Sequence, residues 1–243
     1  MPRQKMGREA GVRLLVGTRK GAFVFSSDRR RRDWRIDGPF FKGWEVHHLN
    51  YDPRRGGLFA AISTSWWGND LQVSHDWGRT WRKTSRGLNF APQAGLSVKR
   101  IWNICPGRSS EPDVVYAGVD PGALFRSDND GKEWYEVKSL TEHPTRERWT
   151  PGAGGLMVHT IVLDPQNVTR MYVGISAAGC FRTDDGGKSW QPLNRGVRAD
   201  FLPNKFPEVG QCLHKMVMDP NRSDVLYQQN HCGVYRSDNA AKA

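Results

Sequence analysis

The sequence has no long hydrophobic run. Apolar stretches such as Leu14 to Gly17 and Leu156 to Val158 fall far short of the ~20 residues that a membrane-spanning helix needs. The basic opening, Met1 to Arg13, has no apolar core of the kind a secretory leader carries. These features set the expectation of a cytoplasmic protein with no membrane partner. Cysteine is scarce as well: Cys105, Cys180, Cys212 and Cys232 include no close pair, which argues against a zinc knuckle or a disulfide framework. Four reduced thiols, no metal centre and no cofactor are expected. Acidic residues are in deficit, 25 against 36 Lys and Arg. The formal charge of +11 favours anionic partners without choosing among nucleic acid, acidic sugar and phosphate.

Glycine and tryptophan, by contrast, are abundant at 26 and 10 residues, and both recur at fixed places in a repeat. Ser74 to Trp81 and Thr183 to Trp190 fit the pattern S/T-x-D-x-G-x-T/S-W, and Ser127 to Trp134 fits it with Asn129 for Asp. A fourth copy starts at Ser237-Asp238-Asn239. The intervals, 53 residues from Trp81 to Trp134 and 56 from there to Trp190, suit a four-stranded unit. A second repeat lies about 25 residues ahead of each box. His47 to Pro53, His159 to Pro165 and His214 to Pro220 are each a short β-run closed by Asp-Pro, and Arg100 to Pro106 keeps the spacing with Arg for His and Cys for Asp. Strand A to Asp-Pro, strand B, a Gly turn, strand C, the box and strand D make one propeller blade.

These boxes resemble the Asp-box, or bacterial neuraminidase repeat, of sialidases, xyloglucanase-type glycosidases and sortilin-type receptor propellers. Leu14 to Phe23 together with Ser65-Trp66-Trp67-Gly68 is similar to a group of bacterial Asp-box propellers described as glycosyl hydrolase-like or exo-sialidase-like. The expected fold class is an all-β β-propeller in a single domain over residues 1–243. Three complete blades fall at about 45–86, 97–140 and 156–193, and two partial ones at about 12–37 and 211–239. The partial blades set the expectation of a truncated or open ring. The physics of the box is structural: Ser74, Asp76, Gly78 and Trp81, then Ser127, Asn129, Gly131 and Trp134, then Thr183, Asp185, Gly187 and Trp190. In each, hydroxyl and carboxylate accept turn N–H groups, Gly permits positive φ, and Trp covers the outer hairpin.

Strand reversal puts the Asp-Pro turns and boxes on one face and the irregular loops on the other, where function concentrates. His47, Arg100, His159 and His214 share one register position at the mouth of the channel on that second face. They read either as a rim for an anionic or metal-bridged ligand or as scaffold groups satisfying neighbouring blades. Glu45, on the same strand face as His47, is the candidate catalytic carboxylate. Arg19, Trp66, Trp67, Trp149 and Arg198 are further ligand-binding candidates. Sialidase resemblance implies an Arg-Ile-Pro signature, yet Arg35-Ile36-Asp37 and Arg100-Ile101-Trp102 both lack the proline, and no Tyr/Glu nucleophile pair can be assigned. Enzyme status is left open. The expected function is binding, with hydrolysis an option, of a carbohydrate or other anionic small molecule; the alternative is a non-catalytic scaffold for a protein partner. Arg29 to Arg32 forms a basic knob on the turn-rich face, and with no recognition motif beside it nucleic acid is not the expected partner.

Overall fold

The computed structural model describes residues 11–64, 66 and 68–241. Among these, five antiparallel sheets follow one another along the chain. The first has three strands, β1 (Val12–Thr18), β2 (Gly21–Ser27) and β3 (Trp34–Phe40). The second has four: β4 (Glu45–Asp52), β5 (Gly57–Thr64), β6 (Gly68–Ser74) and β7 (Arg82–Lys83). The third comprises β8 (Arg100–Pro106), β9 (Val115–Asp120), β10 (Ala123–Ser127) and β11 (Tyr135–Glu136). The fourth comprises β12 (Val158–Leu163), β13 (Met171–Ile175), β14 (Gly179–Thr183) and β15 (Gln191–Pro192). The fifth is β16 (Lys215–Met218), β17 (Leu226–Asn230) and β18 (Gly233–Ser237). Each sheet is a meander in chain order, so each is a blade, and the first and last do not pair with each other among the described residues.

The core lies between blades. Strand residues alternate faces, so each blade offers one apolar set to the blade before it and another to the blade after. Phe59, Leu71 and Val73 of the second blade pack with Ile104, Val115 and Phe125 of the third. Tyr116 and Leu124 of the third then meet Val158, Val173 and Phe181 of the fourth. Arginine bridges the same seams. Arg54 holds the fully buried Asp52 through Nη2–Oδ2 at 2.6 Å and Nε–Oδ1 at 2.8 Å, and donates across the seam to the carbonyl of Val114 at 2.8 Å. Arg108 likewise reaches the Asp164 carbonyl at 3.0 Å.

The repeated eight-residue turn closes on itself. Gly78 N–H donates to Ser74 Oγ at 2.8 Å, and Asp76 accepts from Ser74 Oγ, Thr80 N–H and Thr80 Oγ1 at 2.7 to 2.9 Å. Ser127 with Asn129 and Thr183 with Asp185 repeat the scheme, as does Ser237 with Asn239. These bonds hold Asp76 down to a pKa of about 2 and push Asp185 the same way. A carboxylate so engaged is unsuited to proton transfer. The tryptophans lie against their own turn, as where Trp134 Nε1 donates to the Gly131 carbonyl at 2.9 Å, and also plug the seam to the preceding blade. Trp134 Nε1 donates to the Thr84 carbonyl at 2.7 Å, Trp190 Nε1 to Ser139 Oγ at 3.1 Å, and Trp81 lies 4.7 Å from the Phe41 ring.

One expectation about register is corrected by the ladders. Val46 pairs with Ile62 and His48 with Ala61, leaving His47 as the extra residue of a β-bulge. His159 is the extra residue in β12, but in β8 it is Trp102, between Ile101 and Asn103. The fifth residue after the bulge is Asp52, Asp164 and, in the third blade, Gly107 rather than Cys105. The reason is steric. A Cβ on Gly107 would stand 2.8 Å from the Val114 carbonyl oxygen and 2.9 Å from the Val114 Cβ, with Arg54 Nη1 at 3.0 Å, so there is no room for a side chain there. His214, whose N–H bonds the Gln229 carbonyl just before the Lys215–Gln229 pair, completes the series. The equivalent residues are thus His47, Trp102, His159 and His214. Arg100 belongs two places earlier, with Glu45, Met157 and Cys212.

Candidate functional site

At the start of β4 and β8 the chain opens a cleft of about 700 Å³, lined by Arg19, Trp44, Glu45, Ser63, Trp66, Asn69, Lys99 and Arg100 among others. Four sequence-predicted candidates meet here: Arg19, Glu45, Trp66 and Arg100. Local turns aim them. Thr18 pins the β1–β2 turn by donating to the Gly21 carbonyl at 2.7 Å and accepting from Lys20 N–H, so Arg19 projects from the tip with 90% of its side chain exposed. Trp66 stands in the β5–β6 turn and is 89% exposed. Glu45 Oε1 lies 3.6 Å from Arg19 Nε, and Arg100 Nη1 lies 3.8 Å from Asp120 Oδ2 behind the cleft wall. Burial raises the pKa of Asp120, opposed by Lys99 and Arg100.

The His47 side chain is buried behind two of the lining residues, Glu45 and Ser63. Its Nε2 is 3.0 Å from Ser63 Oγ, which donates onward to Asn69 Oδ1 at 2.5 Å; Asn69 in turn donates to the Val98 carbonyl at 2.7 Å. With the Ser63 proton spent on Asn69, His47 must be the donor through Nε2. Its Nδ1 then faces Glu45 Oε1 at 3.9 Å. Trp102 stacks on the ring with centroids 5.2 Å apart. Burial lowers the pKa of His47, only partly offset by Glu45. The imidazole is therefore a neutral, hydrogen-bonded support behind the cleft rather than a cation in it.

The other candidates do not join this cleft. His159 has both ring nitrogens engaged, Nδ1 with Thr160 Oγ1 at 2.9 Å and Nε2 with the Leu213 carbonyl at 2.8 Å, so its role is structural. Trp149 is 4% exposed and packs on Phe181, with centroids 4.9 Å apart; it is a core residue and not a sugar platform. Arg198 pairs with Asp200 at 2.5 Å on the loop beside the fifth blade. Trp67 lies outside the described residues. His214 is exposed, with Nε2 3.3 Å from Nε2 of His231.

That contact belongs to a cluster that the sequence reading missed. Sγ of Cys212 and one nitrogen each of His214 and His231 all lie within 4.8 Å of one another. Cysteine spacing gave no hint of it, because His231 sits in the β17–β18 turn, far along the chain from Cys212. Cys180, by contrast, is an inert core thiol that burial pushes up to a pKa of about 12.

No protein-family model matches the chain. It is 26% identical over 84 residues to a probable oligoxyloglucan-reducing end-specific xyloglucanase of Neosartorya fischeri, which is 34% of this chain and 9% of that protein. The GH74 xyloglucanase from Xanthomonas campestris superposes with a TM-score of 0.55 at 16% identity, across 95% of this chain and 42% of that one. YCF48 from Cyanidioschyzon merolae gives 0.57 at 13% identity, across 96% and 69%. This chain folds as a partial β-propeller. The propeller spans less than half the length of either xyloglucanase. Glycoside hydrolases and YCF48 share its blade architecture.

Proposed function

We propose that this propeller, a member of the Asp-box group, binds a carbohydrate that carries a carboxylate. The supporting observation is the exposed indole of Trp66 in one cleft with the guanidinium groups of Arg19 and Arg100 and the ammonium of Lys99. An indole face takes the C–H face of a pyranose, and guanidinium pairs with carboxylate in a bidentate fork. Asn69, Ser63 and Glu45 offer hydrogen bonds to hydroxyls. Hydrolysis is not part of this reading. Glycosidase chemistry uses two carboxylates, at roughly 5–5.5 Å for retention or 6.5–9.5 Å for inversion. Among the described lining residues Glu45 is the one carboxylate, so the second that such chemistry needs has no counterpart there.

Calorimetric titration with trigalacturonate tests the reading. Saturable binding that Trp66→Ala weakens supports it; binding indifferent to Trp66→Ala, or none, overturns it. A protein-partner reading has its own support, since Phe201 and Phe206 are exposed in the loop between the fourth and fifth blades. A Phe201→Ser, Phe206→Ser double variant that loses a captured protein while keeping the glycan would favour that second reading.

A further inference from the structure

The blades repeat one constructional unit on the loop-rich face: two residues at i and i+2 where strand A begins, and the tip of the B-to-C turn above them. In the second blade the unit is Glu45, His47 and the turn carrying Trp66; in the third it is Arg100, Trp102 and the turn at Pro121. In the fourth it is Met157, His159 and Ala177. In the fifth it is Cys212, His214 and His231. Repetition fixes the backbone and leaves the chemistry to the side chains. Only the fifth blade fills all three places with metal-ligand types.

We propose that Cys212, His214 and His231 form a binding site for a borderline-soft divalent transition-metal ion of the zinc class. The donor set is the first argument: one thiolate and two imidazoles suit zinc or copper, and are poor ligands for calcium or magnesium. Spacing is the second. Two nitrogens bound to one tetrahedral zinc at ~2.0–2.1 Å stand about 3.3–3.4 Å apart. The observed Nε2 to Nε2 separation is 3.3 Å. The rings meet edge to face with centroids 4.3 Å apart, so a turn about χ2 is needed for both lone pairs to converge. Both histidines are exposed, and the neighbour of the His231 ring besides His214 is the exposed Phe201, edge to face at 6.0 Å, a side chain free to shift as the rings turn.

The supporting backbone is held more firmly than the ligands themselves. His159 of the preceding blade accepts no ligand role but bonds the Leu213 carbonyl at 2.8 Å, and Leu213 is a buried residue between Cys212 and His214. The turn bearing His231 is closed by buried Asn230. Its Oδ1 accepts from Cys232 N–H at 2.8 Å and Gly233 N–H at 3.1 Å, and its Nδ2 donates to the Arg198 carbonyl at 2.7 Å. Two segments separated along the chain are thereby fixed with their donors converging. Three protein donors leave the fourth tetrahedral position to water or to a ligand on the loop-rich face. This site stands independently of the carbohydrate reading.

The test uses the full chain stripped with a chelator and dialysed. Zinc alone is titrated in competition with a chromophoric chelator, and cobalt is added in a parallel sample. The expected result is ~1 ion per chain, with a thiolate-to-cobalt charge-transfer band and the d–d bands of a tetrahedral ion. His231→Ala, at an exposed turn tip, should weaken binding by more than the ~10–100-fold typical of losing a supporting contact. Cys212→Ser should abolish the charge-transfer band. Circular dichroism of each variant reports that the blades remain folded. Zinc binding left unchanged by His231→Ala, cobalt spectra without a thiolate band, or no binding beyond that of a His214→Ala, His231→Ala chain would each overturn the site.

Discussion

Trp102 stacks on His47 with ring centroids 5.2 Å apart, although the two residues hold the same bulge position in neighbouring blades. The third blade's bulge residue thus covers that of the second. The stack desolvates the imidazole and leaves Nδ1 as its open edge, toward Glu45. Trp102→Ala should therefore raise the His47 pKa toward the ordinary histidine value, because burial is the main cause of its depression. Titrating the His47 ring protons by NMR checks this. An unmoved titration would show that Trp102 is not what dries the ring.

The arginine seam carries stability. Arg54 is almost fully buried against Asp52, which has no exposure at all. Removing one partner of such a pair strands the other, so Arg54→Ala should cost about 3–5 kcal/mol in denaturant unfolding. Arg54→Ala combined with Asp52→Asn should recover part of that loss, since no stranded charge is left.

His48 is expected to make the fold acid-sensitive above the carboxylate range. Its Nδ1 accepts Ile104 N–H at 3.1 Å, and burial, helped by Lys215, lowers its pKa to about 4. The unfolded chain, with histidine near 6.5, binds more protons than the folded one between these values. Stability is thus fully present above pH ~6.5 and falls as pH drops toward 4, by up to about 3 kcal/mol from this one group. In His48→Asn the amide oxygen can take over the acceptor role without titrating. Denaturant midpoints measured across this range should be flatter for the variant than for the parent.

Two glycine substitutions separate backbone strain from crowding. Gly78 has φ +91° and a Cβ there would stand 2.7 Å from the Phe40 ring, whereas Gly196, at φ +76°, has open space around it. Gly196→Ala should cost the left-handed backbone penalty alone, about 1–2 kcal/mol. Gly78→Ala should cost a further ~1–3 kcal/mol from overpacking the seam. Equal losses in thermal unfolding would mean that Phe40 yields freely.

The blade count was legible in the sequence because the repeated turn is a local object. Ser74, Asp76, Gly78 and Thr80 satisfy one another within seven residues, so their spacing is fixed wherever the turn occurs. The bulge register was not legible in the third blade. There Cys105-Pro106 mimics the Asp-Pro step, and the true counterpart, Gly107, is dictated by the close approach of the Val114 backbone, with Arg54 arriving from another blade beside it. Trp149 misled for a related reason: its loop lies on the ligand face, but besides His143 of the same loop its burial depends on Phe181 of the fourth blade, which the loop's own sequence does not mention. Arg19, Glu45, Trp66 and Arg100 did converge, since all four mark strand ends or turn tips on one face of the blades.

The carbohydrate reading rests on charge and stacking acting together in one cleft, and the most direct measurement is a ratio. Affinities for trigalacturonate and for an uncharged trisaccharide of the same linkage are compared in the parent chain and in Arg100→Gln. The parent should prefer the acidic ligand by about tenfold or more, the scale of one charge-assisted pair at ~1.5 kcal/mol, and Arg100→Gln should bring the ratio close to one while uncharged binding persists. A preference that survives Arg100→Gln unchanged, or a parent chain that does not distinguish the two sugars, would contradict the assignment.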